Sequence, residues 1–167
     1  VTAIEALFSN EENIYVKLTD ERTALEVSDA YLSLGGADTK TITIEGATGK
    51  EEFYLTTSYW GRIITVNPEA TITFKNCVLN RDLYNNTTWD QHDIVFYNTN
   101  AVLENVVINN ALAFDKANAT LKNVTINEKN VGAYALWITA TCGTVKMGNC
   151  NINAFHEDGR AIKISDE

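Results

Sequence analysis

One pattern recurs along this chain: a short alternating strand that is broken by an Asn and then resumes. It appears as "ATITFKNCVLN" (70–80), "AVLENVVIN" (101–109), "ATLKNVTIN" (119–127) and "TVKMGNCNIN" (144–153). The interrupting residues are Asn76, Asn105, Asn123 and Asn149, and "TITIEG" (41–46) fits one unit earlier with Gly46 in the Asn position. An internal repeat constrains a fold more than composition does, because each unit must bury its apolar face against the next.

A shorter strand precedes each unit: "RIITV" (62–66), "DIVFY" (93–97), "ALAF" (111–114) and "ALWI" (135–138), with "AIKI" (161–164) beginning another copy. Each period therefore holds three short strands. The marked positions are 30, 29, 18 and 26 residues apart, so the surplus residues sit in loops. Four-stranded propeller blades need more strands per repeat. Neither a βαβ helix nor a leucine-rich consensus is present. Three short strands per period suit one coil of a parallel β-helix, whose successive coils pair at about 4.8 Å. The expected fold is all-β, a single-stranded parallel β-helix with three strands per coil, in one domain over residues 1–167.

The interrupting Asn then has a physical role. In "ATLKNVTIN", Leu121 points inward, Lys122 outward, and Asn123 turns the corner between two sheets. Asn tolerates the left-handed backbone better than other non-glycine residues. Glycine adopts that conformation freely, so Gly46 is expected at the same corner. Stacked Asn side chains can hydrogen-bond up the corner as a ladder. Cys77, Val106, Val124 and Cys150 share the next slot, which places Cys77 and Cys150 three coils apart and beyond disulfide reach. Cys142 lies on the turn "ATCGT" (140–144).

Composition narrows the partners. The formal charge is −9 and the pI about 4.7, which argues against nucleic acid as a partner. It also disfavours a polyanionic substrate unless a cation bridges the two. Three cysteines at irregular spacing form neither a disulfide framework nor a zinc motif. No apolar run has the length of a transmembrane helix. Residues 2–9, "TAIEALFS", have helical spacing at Ile4, Leu7 and Phe8. A short helix there would cover the open end of the coil stack, making residues 1–20 a cap and first strand. The last strand, "AIKISDE", ends inside a rung, so the native polypeptide continues or this strand forms an exposed edge.

This order of helix, "IYVKLTD", "KTITIEGATGK" and Asn-cornered rungs resembles the secreted, right-handed parallel β-helix proteins of the pectate-lyase-like fold. It is most similar to surface β-helix proteins of Bacteroides-type gut bacteria. The resemblance implies a right-handed helix, an extracellular or cell-surface location, and either an adhesin-like or glycan-binding role without catalysis or a polysaccharide lyase or hydrolase. No catalytic constellation accompanies it. The carboxylates Asp82, Asp90, Asp93, Asp115, Glu128 and Asp158 form no Asp-x-Asp loop. "NTN" (98–100) has Asn100 where a hydrolase of this fold needs a carboxylate, and "GRAIKI" (159–164) matches the Arg-Ile-Lys element only superficially. No cofactor or metal site is expected.

The longest insertion, "RDLYNNTTWDQH" (81–92), is the best candidate for a ligand-binding loop, although the favoured expectation is that Trp89 and Trp60 fold down over the β-helix flank as a hydrophobic satellite cluster. It gathers Tyr84, Trp89, Asp90, Gln91 and His92, with Tyr59, Trp60 and Arg62 from the preceding connection. Exposed aromatics beside hydrogen-bonding groups suit sugar stacking, and loops on rigid scaffolds often carry function. His156, in the turn "FHEDGR", reads as solvated, and the sequons at Asn85, Asn86, Asn118 and Asn123 as chance.

Overall fold

A computed structural model describes residues 3–27, 31–57, 61–82, 94–128, 134–155 and 159–165. The chain winds as a parallel β-solenoid with three strand positions per coil. The first positions are β1 (Asn13–Leu18), β4 (Thr41–Gly46), β7 (Thr71–Arg81), β9 (Asn100–Ile108), β11 (Asn118–Lys122) and β14 (Val145–Gly148). The second are β2 (Arg22–Val27), β5 (Glu52–Thr57), the C-terminal halves of β7 and β9, β12 (Thr125–Glu128) and β15 (Asn151–Ala154). The third are β3 (Tyr31–Leu34), β6 (Gly61–Thr65), β8 (Ile94–Tyr97), β10 (Leu112–Asp115), β13 (Tyr134–Thr139) and β16 (Arg160–Ser165). The third strands stack in chain order as one six-stranded sheet; the others form a sheet bent along the Asn corner.

Register follows the sequence repeats. Thr71 lies opposite Asn100, Asn100 opposite Asn118, and Ala119 opposite Val145. Alternation along each strand sends every second residue inward, so apolar residues stack in columns such as Val16, Ile44, Phe74, Leu103 and Leu121. Buried Phe53, Phe74, Phe96 and Phe114 run ring to ring through the core, with centroids 5.2, 6.0 and 5.7 Å apart. Such pairs add to the stabilisation from area alone. Cys77 is buried opposite Val106. Burial pushes its thiol up to about 12, so it is an inert core residue rather than a nucleophile. Cys150 and Cys142 are half-buried, and all three thiols are free.

The short helix α1 (Ala3–Ala6) leads into Leu7, which is buried and whose carbonyl accepts the Gly35 N–H. At the other end the apolar columns emerge into the last coil, where Met147, Ile162 and Ile164 are exposed.

On the outer face one column alternates in sign: Lys17, Glu45, Lys75, Glu104 and Lys122. Opposite charges directly across neighbouring strands contribute roughly 0.2–1 kcal/mol each. A coil paired one step out of place would set like charges together. The coil from Asn100 to Asn118 is the shortest, while the preceding one is lengthened mainly between Arg81 and Ile94.

The corner carries the Asn residues in the left-handed region: φ is 49° at Asn76, 53° at Asn105, 54° at Asn123 and 53° at Asn149. Their amides form a continuous ladder. Asn149 donates to Asn123 (2.7 Å), Asn123 to Asn105 (2.9 Å) and Asn105 to Asn76 (2.9 Å). Asn76 donates to Glu45 Oε1 (3.1 Å), and Tyr15 Oη donates to the other oxygen of that carboxylate (2.9 Å). A second ladder runs from Asn153 through Asn127 to Asn109.

Gly46 departs from the sequence expectation, because its φ is not in the left-handed region. It is needed for close approach instead: a Cβ there would lie 2.1 Å from the Asn76 carbonyl oxygen and 2.8 Å from Glu51 Oε2. The left-handed glycine of this coil is Gly49, at φ 86°. The wider corner between β4 and β5 is closed by Glu51, which is only 6% exposed. Its carboxylate accepts the backbone N–H of Thr48 (2.9 Å) and Gly49 (3.1 Å) and the Thr48 hydroxyl (2.8 Å). The Thr48 N–H is the main reason its pKa is held down to about 2, against the opposing effect of burial.

Two outcomes are expected. Asn105→Ala removes one donated and one accepted ladder bond and forces a Cβ-bearing residue with no polar group into the left-handed corner. It should cost about 1–3 kcal/mol in urea denaturation, with Asn105→Gly recovering the backbone share. Because the folded pKa of Glu51 is depressed, its contribution is complete above about pH 4.5 and lost as pH falls toward about 2. Denaturation midpoints of wild type and Glu51→Gln should therefore differ at neutral pH and converge across that window.

Candidate functional site

Of the residues expected in the ligand-binding loop, Tyr84, Trp89, Asp90, Gln91 and His92 lie outside the described residues, as do Tyr59, Trp60 and His156. Arg62 is described. It lies on the outer face of the third-strand sheet, where Tyr31, Arg62, Val95, Ala113, Trp137 and Lys163 follow one another across the register. Their inward neighbours Leu32, Ile63, Phe96 and Phe114 belong to the core, which is why alternation turns the first set outward. Val95 and Ala113 are themselves covered, so the large side chains concentrate at the two ends of this column.

Toward the N-terminal end, the Arg62 guanidinium sits 5.5 Å from the Tyr31 ring centre and 5.3 Å from that of Tyr97. It donates to Tyr31 Oη at 3.1 Å, and the two rings are 5.7 Å apart. Lys116 Nζ lies 5.4 Å from the Tyr97 ring centre and donates to Tyr97 Oη at 3.2 Å. That hydrogen bond raises the lysine's basicity above its ordinary value. Lys116 has φ 50°, a left-handed conformation that a long side chain rarely adopts.

The C-terminal end repeats the arrangement. Lys163 Nζ lies 4.6 Å from the Trp137 ring centre and 5.2 Å from that of Tyr134. Arg160 lies 5.4 Å from the same Tyr134 ring and donates to its hydroxyl at 2.7 Å. Arg160, like Lys116, thus sits at the hydroxyl edge of its tyrosine.

Cations on this face lie beside rings, as Arg22 does elsewhere at 4.2 Å from the Tyr54 ring centre. Elsewhere Arg22 pairs with Glu52, Lys40 with Glu12 (2.6 Å) and Lys122 with Glu104 (3.7 Å). Lys116, Arg160 and Lys163 form no ion pair among the described residues and lie against rings instead. Asp115, across the register from Tyr97, accepts hydroxyl hydrogen bonds from Thr139 (3.1 Å) and Thr141 (2.8 Å).

Two further features escaped the sequence reading. Arg81, Asn110 and Glu128 form a buried polar column at the ends of the second strands, where Asn110 Oδ1 accepts the Arg81 N–H at 2.9 Å. A shallow groove of about 380 Å³ lies over the first strands, edged by Thr71, Asn100, Asn118, Thr120, Thr144 and Lys146. Among the described residues, no three His, Cys, Asp or Glu side chains are grouped to hold a metal ion. No described helix is long and apolar enough to cross a membrane. Compared with protein-family models, curated proteins and solved structures, the chain has no match.

Proposed function

We propose that this chain is a non-catalytic, glycan-binding β-solenoid of a cell surface or the extracellular space, and that the outer face of the third strands receives the glycan. The observation that carries this reading is the set of half-buried rings Tyr31, Tyr97, Tyr134 and Trp137 on one hydrogen-bonded sheet, each beside a cation. Rings held in this way offer apolar area to the faces of sugars at low entropic cost, while neighbouring hydroxyls and N–H groups can pair with sugar hydroxyls. Parallel strands fix their spacing, so the surface is organised before a ligand arrives. The resemblance to secreted pectate-lyase-like β-helices supports an adhesin-like or carbohydrate-related role and a location outside the cell.

The second reading, a polysaccharide lyase or glycoside hydrolase, rests on that resemblance alone. Glycoside hydrolysis generally needs two placed carboxylates. On this face Asp115 is the carboxylate found among the described residues, and two threonine hydroxyls already engage it.

A polysaccharide panel that measures both retention and new chain ends distinguishes the readings. Wild type should bind at least one polymer without shortening it. Trp137→Ala should weaken that binding about tenfold or more, the loss of one stacking platform, with the thermal transition checked in parallel. New chain ends would sink the non-catalytic reading, and unchanged binding by Trp137→Ala would remove this face from consideration.

A further inference from the structure

The amide ladders have a direction. In the first, every side-chain amide donates toward the N-terminal end: Asn149 to Asn123, Asn123 to Asn105, Asn105 to Asn76, and Asn76 to Glu45. A carboxylate offers only acceptors. Asn76 must therefore turn its N–H groups to Glu45 and its oxygen to Asn105, and the same choice passes from amide to amide. Tyr15 donates to the other Glu45 oxygen, which holds the carboxylate in place. One residue on β4 thus decides that Asn149, beside β14, turns its oxygen away from the ladder. The second ladder ends alike, because Asn153 donates to Asn127 and Asn127 to Asn109. Among the described residues, nothing donates to the side-chain oxygen of Asn149 or Asn153.

These two oxygens flank a sheet edge. Among the described strands, β14 and β15 each pair on one side only, with β11 and β12. Ala119, Leu121 and Ile126 are buried, whereas Val145, Met147 and Ile152, opposite them in the register, are half-buried or exposed. The edge therefore offers unpaired backbone groups, an apolar row and two side-chain acceptors in one fixed register. We propose that β14 and β15 form a docking edge for an extended segment of a partner polypeptide, which adds in parallel and carries Asn at the two positions that meet Asn149 and Asn153. Backbone pairing supplies the affinity, and the amides select the register. An Asp of the same shape would set oxygen against oxygen and be rejected. The rung "ATLKNVTIN" (119–127) already meets the opposite side of these two strands with this pattern. A second copy of the chain lacks the donors. Tail to tail, it would bring its own Asn149 and Asn153 oxygens; from its other end, it would bring helix α1 and the exposed Asp20 and Glu21.

The probe is the peptide ATLKNVTIN, blocked at both ends, titrated into the isotope-labelled full chain and followed by NMR. Wild type should bind it, with shifts concentrated in residues 145–154. A peptide carrying Asn123→Asp and Asn127→Asp should bind about tenfold more weakly or worse. A charge-matched peptide, Thr120→Asp with Thr125→Asp, keeps both amides and should stay within a few-fold of the parent. That comparison separates amide recognition from repulsion by a protein of charge −9. Glu45→Gln in the protein gives the first ladder an end that accommodates either direction. The preference for the Asn peptide over the Asp peptide should then fall several-fold, although the substitution lies far from the edge. Glu26→Gln removes the same charge from an exposed position outside the ladder and should leave the preference unchanged.

No binding of the parent peptide, or shifts centred away from residues 145–154, would overturn the docking edge. Equal binding of the Asn and Asp peptides would overturn recognition through amides. An unchanged preference in Glu45→Gln would overturn its control by the ladder. A dimer in sedimentation that excludes the peptide would give the edge to a second copy instead. The glycan reading stands or falls separately.

Discussion

Everything in this molecule depends on parallel pairing between successive coils, which sets each residue beside its equivalent in the coils above and below. Isolated strands of four to six residues, the size of most elements here, gain little from their own hydrogen bonds. They become stable when the column is continuous, with aliphatic on aliphatic, ring on ring and amide on amide. The column is therefore the unit of energetics, and a residue's worth depends on what lies one coil away. Asn105 shows this most clearly, because its amide donates in one direction and accepts in the other. Removing it breaks contacts with two coils at once.

The architecture was legible because its signal is local. An Asn corner flanked by alternating apolar positions can be read within ten residues, and its recurrence reports the register directly. The corner of the second coil was harder. Gly46 matches the alignment, but the left-handed turn falls at Gly49 and a carboxylate from Glu51 closes it. A single letter in a repeat cannot distinguish a glycine chosen for its backbone angle from one chosen for lack of a side chain.

The cation–aromatic face was not legible, for the opposite reason. Its members, from Tyr31 to Lys163, are scattered through the chain and meet only once the coils are stacked. Arg62 entered the candidate set as a neighbour of a loop rather than as part of a sheet surface. Net charge does not locate such a face. A value of −9 averages over the surface, while recognition responds to charge within roughly one Debye length, about 8 Å at physiological salt. On this face four cations lie beside aromatic rings that successive coils bring together.

The shortest coil, from Asn100 to Asn118, shows how little chain is needed to close one circuit of the solenoid. Residues beyond that minimum in other coils do not alter the pitch, because pitch comes from strand pairing. Insertions and substitutions can thus diverge independently over evolutionary time. Substitutions within columns would be held back by neighbours above and below, whereas changes of length between strands would be comparatively free. A lineage of such proteins could acquire new surface chemistry rapidly while inheriting an unchanged frame, and could leave too little shared sequence for ancestry to be recognised from residue identity alone.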